Sequence, residues 1–299
     1  MDVLKTRGEK AFMIFSGVVI SLLSLICIAP LLLIFIASFT QESSLVANGY
    51  SFLPKSWSLD AYYYMVNQLT VVIRAYGVSI FVTGVGTVAS IIMTSMLAYP
   101  LSRKDFKYRK IITFAVLFTM LFSGGIAPSY IMWTRLFHIK DTIFALILPN
   151  YLMNAFNVFL MVNYYRNSIP ASLIESAQID GASELKIFYK IIFPLSIPAV
   201  ATIGIFTGLL YWNDWINGLY YITNPKLYGI QNLLVRIINN IQFLSSGNAA
   251  SAVGTTAVQL PSNGVRMALA VIGILPIVII FPFLQKYFIK GVVIGAVKE

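Results

Sequence analysis

Charge is scarce in this sequence. Of 299 residues, 21 are Lys or Arg and 11 are Asp or Glu, so charged residues make up 11%, against roughly 25% in soluble domains. That scarcity excludes a water-soluble globule. The basic excess does not point to nucleic acid either, because the cations sit in short segments between long apolar runs. One cysteine (Cys27) and one histidine (His138) exclude a disulfide framework and a Cys/His metal site. No G-x-x-x-x-G-K-[ST] segment is present, so a phosphate-cradling loop of that kind is absent. The middles of the apolar runs hold no Asp, Glu, Lys, Arg or His. Ion-coupled carriers commonly place ionisable groups at that depth, and intramembrane proteases need paired carboxylates there. No catalytic constellation remains: His138 lies in a short polar turn beside Lys140 and Asp141, where it reads as a surface histidine.

What is abundant is apolar. Hydrophobic residues make up 58% of the chain and the mean hydropathy is +0.81. Six runs reach the ~20 residues that a helix needs to cross a bilayer: about 11–39, 78–101, 111–131, 142–164, 197–216 and 267–288. The first is about twice the ~7–15 apolar residues of a signal peptide, so it reads as a retained span. The expected fold class is all-α, a polytopic membrane protein with one transmembrane domain over residues 1–299. Orientation follows from the cations. With the N-terminus inside, 14 Lys and Arg fall on the inner segments and 7 on the outer ones, which places both termini in the cytoplasm. The cluster Arg103, Lys104, Lys107, Arg109 and Lys110 is the firmest anchor and suits lipid headgroups.

The inner loop 166–196 is longer than a connection requires. Its physics is that of two short helices joined at a glycine. Ser168 can cap the first and Pro170 suits its first turn. Gly181 readily takes the left-handed conformation that ends helices. Leu185, Phe188, Tyr189 and Ile192 then recur at helical spacing as one apolar stripe, a shape suited to being gripped by another protein. The spacing Glu175-Ser176-Ala177, three residues, Gly181, nine residues, Ile191-x-Phe193-Pro194 resembles the E-A-A, x3, G, x9, I-x-L-P loop of binding-protein-dependent ABC importer permeases. Ser replaces the middle Ala and Phe replaces Leu. The likeness extends to the carbohydrate, MalG-like branch through Phe52-Leu-Pro-x-x-Trp57-Ser-Leu-x-x-Tyr62, through Tyr211-Trp212-Asn213-Asp214-Trp215, and through the tail from Phe281 to Lys298.

That resemblance implies a type I importer fold in a bacterial cytoplasmic membrane. It implies an oligosaccharide cargo moved by alternating access, and partners in the form of a second and different permease, two ATPase subunits and an extracellular solute-binding protein. ATP and magnesium would sit on the ATPases, leaving this chain without a cofactor and without enzymatic activity. Glu175, Ser176, Ala177, Gly181, Leu185, Phe188, Ile191 and Pro194 would form the ATPase-coupling surface. Glu175 would meet a basic side of the ATPase, the stripe around Leu185 and Phe188 would seat in its cleft, and the tail from Gly291 to Lys298 would reach toward it. The outer stretch Gln242–Gly264 corresponds in position to a loop that probes the binding protein.

Sugars offer apolar ring faces and many hydroxyls, so their path needs aromatic faces with amide partners. Two places hold that mixture. Asn150, Asn154 and Asn157 share i, i+4, i+7 spacing beside Tyr151, and a polar stripe in a membrane must face a cavity or another helix. Interhelical hydrogen bonding explains that stripe as well as pathway lining does. Trp212, Asn213 and Asp214 read either as pathway or as an interfacial aromatic belt. Two other functions stay open on sequence alone: an ion-coupled secondary carrier for a small polar solute, and a membrane scaffold or receptor without an ATPase partner.

Overall fold

A computed structural model describes residues 7–67, 69–245 and 262–296. The described residues are overwhelmingly helical; an isolated antiparallel bridge pairs Thr40 with Trp57. Chain proximity divides the protein into two units, one of residues 1–69 with 237–276 and the other of 70–236 with 277–299.

The first unit begins with α1 (Arg7–Ser38), 32 residues long with Pro30 inside it. Its apolar side chains are almost all exposed, as for a helix whose surroundings are lipid or another chain. The short helices α2 (Glu42–Asn48) and α3 (Asp60–Asn67) follow. Tyr62 ties α3 back to the end of α1, its ring stacked on Phe39 at 4.7 Å and its hydroxyl 2.8 Å from Ser38 Oγ. The Glu42 carboxylate accepts from the Asn263 and Gly264 amides at 3.0 and 2.9 Å. These are orphan donors at the start of the last helix, Ser262–Ala296, where helix geometry favours an anion.

The second unit is built on α4 (Leu69–Ser102), with α5 (Arg109–Leu121), α6 (Ile126–Ile131), α7 (Phe144–Ile147) and α8 (Ala155–Ser168). The loop 166–196 forms α9 (Ala171–Ile179), α10 (Glu184–Ile187) and α11 (Phe193–Leu195). Then come α12 (Ile197–Trp212), α13 (Ile216–Tyr221) and the start of α14 (Ile230–Ser245); the helix from Ser262 is α15. One core joins the C-terminal ends of α4 and α8 to the loop and α12 through Leu101, Met161, Tyr165, Ile187, Phe188, Ile192 and Ile203. Close approach of α4 to α12 needs Gly86: a Cβ there would lie 2.5 Å from the Tyr211 ring.

Six uninterrupted spans are not seen among the described residues. Among the described residues three helical stretches are long and apolar enough to cross a bilayer: Gly8–Ser38, Leu69–Ser102 and Asn263–Pro282. Two bent pairs raise that to at most five, Arg109–Leu121 with Ile126–Leu136 at 114° and Glu184–Leu195 with Ile197–Trp212 at 78°. The expected run 111–131 breaks before α6 at Gly125, whose φ is +79°. The expected run 142–164 is split between α7 and α8 by Pro149 and by Asn150 at φ +68°. Hydropathy sums side chains and does not register a backbone that proline and a left-handed residue have turned.

Candidate coupling loop and pathway

The loop 166–196 folds as helix, glycine, helix. Gly181 has φ +73°, its N–H donates to Gln178 at 3.0 Å, and the Ala182 N–H donates to Ala177 at 2.9 Å. That pair of bonds is the Schellman ending, which favours glycine because only glycine takes the left-handed region freely. The start of α9 differs from expectation: Ser168 is the last residue of α8, and Pro170 directly precedes α9. Glu175 and Ser176 are exposed, while Ala177 turns into the core.

The apolar stripe does not stay on one face. Leu185 and Tyr189 are 63% and 57% exposed, whereas Phe188 and Ile192 are 4% and 1% exposed. Residues 188–192 form a wide π turn. Pro194 has no N–H to return to the Lys190 carbonyl, which loosens the helix at this point. Phe188 packs on Tyr99 of α4, ring centres 5.6 Å apart, and so holds the loop to its own chain instead of facing outward. Ile191 is half-buried against the same core, and Pro194 is exposed. Of the eight expected coupling residues, Glu175, Ser176, Gly181, Leu185 and Pro194 are exposed. The tail from Gly291 runs in α15 to Ala296; Lys298 lies outside the described residues, as do residues 246–261 of the outer stretch.

Charge gathers beside the loop. Arg103, just past α4, contacts Asp105 at 2.6 Å and Glu184 at 3.4 Å, and it holds the Asp105 carboxyl below the usual carboxylate range. Arg166 at the end of α8 donates to the Leu101 carbonyl at 2.6 Å, satisfying an orphan acceptor in the last turn of α4.

The asparagine stripe is also rearranged. Asn150 sits outside any helix and donates to Asn217 Oδ1 at 2.9 Å. Asn154 caps α8, its side chain accepting from the Phe156 and Asn157 amides at 2.9 and 3.3 Å, so the expected i, i+4, i+7 face does not exist. Asn157 is buried and donates to Thr207 of α12 at 3.2 Å. A cavity of about 630 Å³ opens between α8 and α12, lined by Tyr151, Asn154, Phe156, Asn157, Phe206, Leu209, Leu210 and Asn213. Four expected pathway residues thus converge: Tyr151, Asn154, Asn157 and Asn213. Asn150, Trp212 and Asp214 do not line this cavity. Trp212 is buried near Tyr76, and Asp214 accepts from the Asn217 amide at 3.0 Å and the Tyr151 hydroxyl at 3.4 Å. Sequence reasoning missed the apolar wall of Phe156, Phe206, Leu209 and Leu210; Phe206 and Asn213, seven apart across α12, were the available signal.

Residues 86–294 match the sequence pattern of the binding-protein-dependent transport system inner membrane component. The chain belongs to that family. It is similar to the polygalacturonan/rhamnogalacturonan transport system permease protein YtcP of Bacillus subtilis (strain 168), 39% identical over 277 residues, covering 92% of this chain and 94% of YtcP. Protein LplC of the same organism is 37% identical over 295 residues, covering 98% and 97% of the two chains. The crystal structure of a bacterial ABC transporter involved in the import of the acidic polysaccharide alginate contains a chain that superposes with a TM-score of 0.78 at 30% identity, over 96% of this chain and 99% of that one. The chain is therefore a membrane permease component of a multi-subunit ABC importer, and the matched region contains α9, α10 and the cavity between α8 and α12.

Proposed function

We propose that this chain is one of two different permease subunits of an ATP-driven oligosaccharide importer, with both termini in the cytoplasm. ATP is hydrolysed on two separate ATPase subunits, which grip the loop through Glu175, Ser176, Gly181 and Leu185. Closure of the ATPases moves that loop and opens the path between spans to an outer solute-binding protein. Sugar then passes the cavity beside α8 and α12, where Tyr151 and Phe206 offer ring faces and Asn154 and Asn213 offer amides. The observation that carries this reading is the helix–Gly181–helix, with exposed Glu175 on its first arm. Uronate-containing oligosaccharides are the first cargo to test, because YtcP and the alginate importer are named for acidic chains.

The test is uptake by proteoliposomes holding the complete complex with its binding protein. Labelled oligogalacturonate should enter only when ATP is inside with the ATPases, and collapse of ion gradients should leave the rate unchanged. Uptake that continues without ATP would overturn the reading in favour of an ion-coupled carrier.

A further inference from the structure

One carboxylate ties together three elements of the second unit. Glu184 Oε1 accepts from Gln178 Nε2 of α9 at 2.9 Å. Glu184 Oε2 accepts from the Tyr99 hydroxyl of α4 at 2.6 Å and from Arg103 Nη1 at 3.4 Å. Glu184 itself is in the first turn of α10. Both arms of the helix–glycine–helix therefore meet on a side chain anchored to the inner end of α4.

The bonds differ in weight. Glu184 is exposed and its 3.4 Å contact with Arg103 is long, so that ion pair contributes little on its own. The Tyr99 bond is short and charge-assisted, and Tyr99 is buried, which makes it the strong link. Beside it lies a cavity of about 380 Å³, walled by Met96, Pro100, Phe106 and Leu185 among others. Ile187 and Phe188 pack on the end of α4, while the first turn of α10 is linked to α4 and to Arg103 just past it by these hydrogen bonds. Tyr99 lies near one end of α4, a single helix of 34 residues, about 50 Å long at the helical rise. Nearer its other end α4 grips the start of α14 through Ser79 Oγ, which accepts the Ile230 amide at 2.8 Å.

We propose that Tyr99, Arg103 and Glu184 form a latch that carries displacement of the coupling loop into α4, in addition to the direct chain connection from α11 into α12. Tyr99 and Glu184 are positioning residues, and the inference rests on the coupling-loop reading above. Tyr99→Phe removes only a hydroxyl and keeps the ring on Phe188, and Glu184→Gln keeps the shape of the side chain, so both variants retain the packing.

The experiment uses the complete complex with its ATPases and binding protein in nanodiscs, in a Cys27→Ala background. A nitroxide is placed at Ser172→Cys on α9, or at Ile73→Cys near the outer end of α4; both positions are exposed. Spectra are compared without nucleotide and with ATP plus vanadate. Both labels respond in the background protein. In Tyr99→Phe and in Glu184→Gln the Ser172 label keeps its response while that at Ile73 falls about fivefold, as expected from loss of one charge-assisted hydrogen bond at a partly wet site. The double variant is no worse than either single one. An unchanged response at Ile73 overturns the latch. Parallel loss at both labels with a lowered melting temperature overturns it too, by making the bonds a general staple. No response at Ser172 in the background protein overturns the coupling-loop reading itself, and the latch with it.

Discussion

Gly181 offers the sharpest perturbation of the loop, because its backbone and its surroundings make separate demands. A Cβ built at this position meets nothing within 4 Å, so a side chain is not excluded by crowding. What opposes it is φ of +73°, which costs an ordinary L-residue roughly 1–2 kcal/mol. Asparagine visits that region more readily than other residues with a side chain. The two bonds that close the turn, Gly181 to Gln178 and Ala182 to Ala177, fail together if the residue leaves the left-handed region. A penalty of that size lowers the population of the folded turn roughly 5–30-fold unless neighbours hold it in place. Gly181→Ala and Gly181→Leu should therefore leave insertion and complex assembly intact while sugar moved per ATP hydrolysed falls several-fold. Gly181→Asn should stay nearest the parent. The assay is uptake and phosphate release measured together in proteoliposomes. Normal uptake by Gly181→Leu, or an asparagine variant as impaired as the leucine one, would refute the reasoning.

Two further expectations follow from packing and from charge. Gly86→Ala places a methyl 2.5 Å from the Tyr211 ring, which cannot swing aside while its hydroxyl is bonded to the Ile147 carbonyl; overpacking of this kind costs about 1–3 kcal/mol, and Gly86→Ala should lower the melting temperature clearly in the parent but little in a Tyr211→Ala background. Asp141 accepts from the Thr223 hydroxyl and from the Thr223 and Asn224 amides, and these bonds, the Thr223 hydroxyl foremost, lower its pKa. Its stabilisation is thus complete at neutral pH, begins to fade as pH drops to its ordinary value of 3.8, and is lost below the lowered value. Melting curves between pH 3 and 7 should show that acid-side loss in the parent and a flatter profile in Asp141→Ala.

The helix–Gly181–helix shape of the loop was legible because its signals are local. Glycine ends a helix wherever the left-handed region is needed, and the spacing from Glu175 to Pro194 lies within twenty residues of chain. The apolar runs were legible for the same reason, as solvent preference is a property of each side chain. Breaks inside those runs were not, since Pro149 and Asn150 alter the backbone without lowering hydropathy enough to show. Asn154 was read by period when its role is set by its neighbour: once the chain turns at 148–153, its side chain is worth more as a cap than as part of a stripe. Phe188 was placed with the exposed stripe because the π turn that rotates it inward depends on Pro194, six residues away. Tyr99 and Glu184, 85 residues apart, carry no mutual signal in sequence.

The sparse packing of α1 bears on what can surround it. Most of its apolar side chains are exposed. A helix with this much bare apolar surface can sit in a bilayer without close protein neighbours, because lipid tails cover it as well as other side chains would. Its 32 residues thus offer lipid, or an adjoining protein surface, one long apolar face.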